Sequence, residues 1–165
     1  MEIALTGTPG TGKTSIAREL EEQGFKVIDL TEFVKENGLG TSGDEFEVDV
    51  PEMVEALEER EFEEDAVIEG HLAHHYPADL CVVLRCRPDE LEERLKRRDY
   101  SRGKVEDNVE SEALDLVLQE AVREQETVIE VDTTGRDVGE VAEEVRKRIE
   151  KGDEVYGEVD WSEFL

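Results

Sequence analysis

The chain has 165 residues, of which 46 are acidic and 19 basic, for a formal net charge of −27. That length suits one domain around a single core, and no apolar run approaches the roughly 20 residues of a membrane span. The charge excludes a free-standing nucleic-acid-binding module, which would need a broad basic face. Nothing at the N-terminus reads as a leader or anchor, so the expectation is a cytoplasmic protein without a membrane partner.

An apolar strand is expected over residues 2–6, followed by Gly7-Thr8-Pro9-Gly10-Thr11-Gly12-Lys13-Thr14 and an amphipathic helix from Lys13 to about Gln23, closed by Gly24. This is G-x-x-x-x-G-K-[ST] between a strand and a helix, the context in which it forms a phosphate-binding loop. The glycines let successive N–H groups face inward as an anion nest, and the helix N-terminus adds its dipole. Lys13 can reach β- and γ-phosphates, and the Thr14 hydroxyl can hold Mg²⁺. The loop therefore implies nucleoside triphosphate binding.

A second strand is expected over 25–28, a helix from 29 closed by Gly38, a glycine- and acid-rich loop over 39–49, and a helix opened by Pro51 that runs to Phe62. Residues 66–70 read as a strand ending in an acid, and 79–85 as a nearly continuous apolar strand of the kind covered on both faces. Pro88 opens a helix carrying Leu91 and Leu95. A basic segment follows over 97–104, then one long helix over 106–126, a last strand over 128–131 and a last helix over 138–149. Strand and helix alternate throughout, so the expected fold is α/β: a five-stranded parallel sheet flanked by helices, with ligand at the carboxyl ends of the strands. Cys81 and Cys86 should point to opposite faces and stay unlinked. The tail over 152–165 carries five acids and no base, yet also Val155, Tyr156, Val159, Trp161, Phe164 and Leu165, which suits docking on the body or on a partner.

Glu69, at the end of the third strand, is the candidate acid for Mg²⁺, and His71 is placed to touch a γ-phosphate or a water. His74 and His75 are adjacent, but no further ligand stands at metal-ligand spacing, so no metal is expected there. Arg94, Lys96, Arg97, Arg98, Arg102 and Lys104 are six of the 19 bases. In so acidic a chain, such a cluster suits a lid whose arginines neutralise a transferring phosphoryl group, with Gly103 as its flexible point. Lys35 is a candidate for the acceptor's phosphate, and Arg136 for stacking on a purine. Asp132-Thr133-Thr134-Gly135 mimics a GTPase switch, but it follows the last strand and no Asn-Lys-x-Asp string accompanies it.

Taken together, Leu5-Thr6-Gly7-Thr8-Pro9-Gly10 with Gly12-Lys13-Thr14, Glu69-Gly70-His71, Val82-Val83-Leu84-Arg85, Glu93-Arg94-Leu95 with Arg98 and Tyr100, and Asp107-Asn108 resemble the adenylate kinase isoenzyme 6 family, archaeal members included. The resemblance spans residues 1 to about 150. It implies a P-loop nucleoside monophosphate kinase domain over 1–165 with broad specificity and ATPase activity, and a part in small ribosomal subunit maturation with a ribosomal protein partner. It also implies ATP contacts at Gly10, Gly12, Lys13, Thr14 and Ser15, an acceptor region over 29–52, a lid over 97–107 bearing Arg98, and Arg136 near adenine. Glu69 stands where the family has aspartate, and Lys35 where it has arginine, losing the bidentate fork.

Two readings follow: a kinase in which Lys13 and Arg98 stabilise the phosphoryl group while Thr14 and Glu69 hold Mg²⁺, or an ATP-driven assembly factor whose main business is a basic ribosomal partner. The acid excess suits a salt-rich, halophilic cytoplasm, where screening shrinks to about 3 Å at molar salt and self-repulsion is damped. Lowering the salt from molar to millimolar should therefore unfold the protein, followed by circular dichroism; full stability at low ionic strength would refute the halophilic reading.

Overall fold

The computed structural model describes residues 1–40, 47–62 and 64–165. Its strands β1 (Glu2–Gly7), β2 (Lys26–Asp29), β3 (Ala66–Glu69), β4 (Leu80–Arg85) and β5 (Val128–Asp132) form one sheet in the order β2-β3-β1-β4-β5. Every pairing within it is parallel. Side-chain alternation along the strands divides the interior in two. Ile3 and Leu5, with Val82 and Leu84, face helices α1 (Lys13–Glu22) and α7 (Val138–Lys151) through Ile16, Leu20, Val141 and Val145. Ala4, Ile68, Cys81 and Val83 face the other way, onto α2 (Leu30–Glu36), α3 (Val50–Glu58) and α6 (Leu116–Glu124). A third, smaller core of Cys86, Leu91, Leu95 and Val105 joins α4 (Pro88–Arg97) to α5 (Arg102–Ala113). Both cysteines are buried and free.

Local chemistry sets several boundaries. Asp29 and Asp49 cap α2 and α3, each side chain accepting from the backbone N–H three residues on, at 3.1 Å. Helix α3 starts one residue before Pro51 and stops at Glu58, short of the expected Phe62. Ser101 caps α5 by accepting from Lys104 N, so that helix begins at Arg102 and Gly103 lies in its first turn rather than at a flexible point. Part of the expected 39–49 loop, residues 41–46, lies outside the described residues.

The single long helix expected over 106–126 is two, broken at Leu114 and Asp115, and the cause is Arg85. This arginine, 1% exposed at the end of β4, donates from Nε to Glu112 Oε2 (3.0 Å) and from Nη1 to Glu130 Oε2 (2.8 Å). Its Nη2 donates to Asp115 Oδ1 and to the Glu112 carbonyl (3.1 Å). That carbonyl would otherwise accept from residue 116 in a continuing helix. Asp115 instead takes a left-handed conformation (φ 58°), which aspartate tolerates. Burial opposes the Arg85 charge, but the Glu112 and Asp115 carboxylates outweigh it and keep the guanidinium protonated. Burial likewise lifts the Glu112 carboxyl, against the pull of Arg85. Its Oε2 also accepts from Cys86 N (2.9 Å) and Trp161 Nε1 (3.3 Å), and with N–H donors converging on it the ionised form is the one that satisfies the site.

The tail is drawn into the same cluster. Val155 bridges Ile129 in parallel, and Glu130 Oε1 accepts from Gly157 N (3.0 Å), which leads Trp161 to its buried position on Glu112. Removing one partner of a buried charge pair costs far more than removing an exposed one. Glu112→Ala should therefore lower stability by about 3 kcal/mol. Glu106→Ala, which removes an exposed pair with Arg102, should cost under about 0.5 kcal/mol. Urea midpoints measured at one fixed molar salt concentration check both.

Candidate active site

Strand β1 ends at Gly7 and α1 begins at Lys13, which sets the intervening loop at the carboxyl edge of the central strand. Gly10 has φ +94°, and a Cβ there would come within 2.9 Å of both Leu91 Cδ1 and Leu95 Cδ2, so only glycine lets the loop press against α4. Thr11 closes the turn, its Oγ1 and N both donating to the Thr8 carbonyl (2.8 and 3.2 Å). Gly12 is the N-cap of α1, with no side-chain cap, and the first turn of that helix holds no acid in a chain with 46 of them. Its leading N–H groups therefore stand open to an anion.

Lys13 is buried and folds back on the loop, Nζ donating to the Gly7 (2.9 Å) and Thr8 (3.1 Å) carbonyls. Burial pushes its ammonium down to about 8; Glu69 opposes the fall and the nearby Arg98 charge adds to it. The β3 register puts Glu69 beside Leu5 on one side and Asp29 on the other. Its carboxylate, 6% exposed, accepts a long hydrogen bond from Thr14 Oγ1 (3.5 Å). Burial raises the Glu69 carboxyl, Lys13 draws it back, and Asp29 adds to the rise. His71 keeps its ring at the surface, but the crowding of the cleft, followed by the Lys13 charge, pushes the imidazole down to about 4. It is neutral at pH 7. Two hard oxygen donors, Thr14 and Glu69, thus stand where a triphosphate would arrive, a donor set that fits Mg²⁺.

On the other side of the loop a cleft of about 390 Å³ is lined by Gly10, Gly12, Ser15, Arg97, Arg98 and Arg136, among others. Arg136 is anchored to the Asp132 carbonyl (2.9 Å) and paired with Glu144. Arg97 and Arg98, by contrast, are exposed at the end of α4, and their guanidinium groups make no hydrogen bond or ion pair among the described residues. The structure thus brings together the loop residues, Glu69, His71, Arg98 and Arg136. Lys35 is exposed in the last turn of α2 and does not line this cleft. A second, narrow cleft beside His71 is walled by Leu30, Thr31, Val34, Met53 and Gly70, within the region assigned to the acceptor, of which residues 41–46 lie outside the described residues.

Three residues take roles that the sequence does not assign: Arg94 is grouped there with the lid bases, Thr133 with a switch-like string, and Glu112 is not singled out. Arg94 braces the loop, Nη1 donating to the Gly10 and Thr11 carbonyls (3.3 Å each), while Nη2 pairs with Glu90 (2.7 Å). Thr133 Oγ1 donates to the Thr11 carbonyl (3.1 Å), giving the switch-like string a structural job. Glu112 Oε1 accepts from Thr8 Oγ1 (2.9 Å), linking the loop to Arg85. For Glu112 the sequence signal is Arg85, a lone charge closing an apolar strand.

Parallel strands in this order around a glycine loop at a helix N-terminus define the P-loop kinase fold. Two solved structures share it at a level of identity that speaks to fold alone. A deoxyadenosine kinase from M. mycoides has TM-score 0.61 and 15% identity, covering 92% of this chain and 100% of that one. A gluconokinase from Sinorhizobium meliloti has TM-score 0.54 and 18% identity, covering 91% of each chain. The AAA domain family matches residues 3–115. Proteins named "Putative adenylate kinase" from Pyrococcus furiosus (47% identity, 98% of this chain and 92% of that protein) and Natronomonas pharaonis (46%, all of both) align along almost the whole length. The chain belongs to this archaeal adenylate kinase family, a family of phosphotransferases.

Lys13, with its pKa near 8 in the nucleotide-free loop, must be charged when polyphosphate binds. Anion binding raises that pKa, so above pH 8 ATP binding should take up a proton and weaken by roughly tenfold per pH unit. Calorimetry in buffers of different ionisation enthalpy reads the uptake, and Lys13→Met should abolish it.

Proposed function

We propose that the chain is a broad-specificity nucleoside monophosphate kinase, catalysing ATP + AMP = 2 ADP, with ATPase activity when water takes the acceptor's place. The observation that carries this reading is the pair of unpartnered arginines, Arg97 and Arg98, beside an uncapped helix N-terminus that bears Lys13. A protein so poor in cations has left two of them without a protein counter-ion next to an anion nest, and the triphosphate of ATP supplies that counter-ion.

In the reaction an oxygen of the AMP phosphate attacks the γ-phosphorus, and the bond from that phosphorus to the β–γ bridging oxygen breaks. Gly10, Gly12, Thr14 and Ser15 present backbone N–H groups to the phosphates. Lys13 leaves the Gly7 and Thr8 carbonyls for the β- and γ-oxygens, and Arg98 closes on the charge that spreads over the transferring group. Thr14 and Glu69 would hold Mg²⁺, which when bound neutralises phosphate charge. His71, neutral at pH 7, orients the γ-phosphate or a water by hydrogen bonding rather than by charge. Arg136 flanks the adenine. The acceptor occupies the side bounded by α2 and α3, where Lys35 would meet its phosphate only after a movement of α2. No general base is needed, because positioning and charge neutralisation carry such transfers.

A second reading is favoured by the surface charge: an assembly factor for the small ribosomal subunit, acting in 16S rRNA maturation through a basic ribosomal protein, with ATP hydrolysis resetting the complex. The net charge of −27 complements such a partner. The same surface is adapted to high salt in the halophilic reading, and salt would screen long-range steering.

One assay separates the two. In molar salt with Mg²⁺, ADP formation from ATP should rise at least about tenfold when AMP is added, and Arg98→Ala should remove most of that gain. Phosphate release that ignores AMP and other monophosphates would discard the kinase and leave the ATPase of the assembly reading.

A further inference from the structure

Behind the phosphate loop, the turn after β3 places two histidines against α6. His74 and His75 lie in a short 3-10 turn (Ala73–His75), their ring centroids 4.2 Å apart. His74 Nε2 is 2.7 Å from Glu120 Oε2, and His75 Nε2 is 3.6 Å from the same oxygen. Sequence spacing hid this, because Glu120 is brought from 46 positions away.

The other nitrogen of each ring is already committed. His75 Nδ1 lies 2.6 Å from Glu124 Oε2, and an ionised carboxylate has only lone pairs to offer, so Nδ1 carries the proton. The Nε2 of the same ring lies 3.6 Å from the Glu120 carboxylate, beyond hydrogen-bond reach. His74 Nδ1 lies 2.8 Å from Thr6 Oγ1, which can accept a proton from it in the same way, and burial of this ring, 1% exposed, disfavours its charged form. Two imidazole Nε2 atoms and a carboxylate oxygen thus converge, the 2.7 Å His74–Glu120 contact being a hydrogen bond whose proton a metal ion would displace, and each ring is oriented through its far nitrogen by an oxygen of the surrounding protein. That is the arrangement by which proteins orient histidine ligands of zinc.

We propose that His74 Nε2, His75 Nε2 and Glu120 form a binding site for a divalent transition ion, Zn²⁺, distinct from the Mg²⁺ site at Thr14 and Glu69. Zinc–ligand bonds of about 2.1 Å put tetrahedral donor atoms roughly 3.4 Å apart. The 3.6 Å separation fits, and the 2.7 Å one opens by a small swing of the Glu120 side chain, which is 42% exposed. Water takes the fourth position. Nitrogen donors set the site apart from hard-ion chemistry, so Mg²⁺ does not compete effectively. The ion would clip α6 to the turn after β3 and, through Thr6, to the end of β1 where the phosphate loop starts. Its role is to fix the framework under the loop.

The test uses the whole chain, stripped with chelator and titrated in molar salt without nucleotide, first with ZnCl₂ against a chromogenic chelator and then with CoCl₂. One equivalent of Zn²⁺ should bind, and the Co²⁺ form should show the intense visible bands of a tetrahedral site. His75→Ala and Glu120→Gln should each weaken binding more than about tenfold and remove those bands, and Glu124→Gln should weaken it by about tenfold. Thermal midpoints without metal report whether these variants remain folded. Glu69→Gln should leave the equivalent intact. Absence of a saturable single site, unchanged binding in His75→Ala and Glu120→Gln, or loss of the equivalent in Glu69→Gln would each overturn the assignment without bearing on monophosphate kinase activity.

Discussion

A guanidinium sealed inside a protein must be met by acids, and Arg85 at the end of β4 imposes that demand on much of the chain. Its three carboxylate partners come from α5, from the break before α6 and from β5. Because a buried ion leaves little tolerance for a missing partner, those elements cannot shift independently. The demand also spreads outward. Glu112 reaches the phosphate loop at Thr8, and Glu130 gathers the tail backbone at Gly157. Trp161, the last large anchor of the tail, sits on the same Glu112 oxygen that serves Arg85. The acidic tail is thus tied to the loop by a chain of charge-assisted hydrogen bonds rather than by apolar burial alone.

The same economy of cations explains the candidate site. Many of the 19 basic side chains pair with nearby carboxylates, as along α7, where Arg146 and Arg148 pair with Glu143, Glu144 and Glu150. The guanidinium groups of Arg97 and Arg98 have no such partner among the described residues, and the first turn of α1 holds no acid. Both features border one cleft. An anionic ligand resolves them together, which is a stronger constraint than either the loop motif or the basic run alone.

What the sequence made legible was local. Gly10, Gly12, Lys13 and Thr14 are contiguous, so their spacing alone predicts the loop, and strand alternation predicts the parallel sheet. What it hid was long-range. The break at Asp115 looks like mid-helix in any window, because its cause is an arginine 30 positions earlier. His74 and His75 lack a third ligand until packing delivers Glu120. Gly103 reads as a hinge by composition, yet a serine cap two residues earlier recruits it into a helix. Lys35 reads as a phosphate ligand, yet it is exposed on α2 and does not line the arginine cleft.

The arginine-bearing segment is constrained unevenly, and this shapes how it can close. At its root, Leu91 and Leu95 press on Gly10 and Arg94 donates to the Gly10 and Thr11 carbonyls, so that part of α4 moves only with the loop. At its tip, Arg97, Arg98 and Tyr100 are exposed, and Asp99 takes a left-handed turn (φ 62°) before the α5 cap. Phosphate drawn to the tip would therefore bend the α4–α5 junction while the root kept register with Lys13. In the proposed kinase, a stiff root and a yielding tip would let the arginines follow the transferring group without disturbing the N–H cradle beneath it.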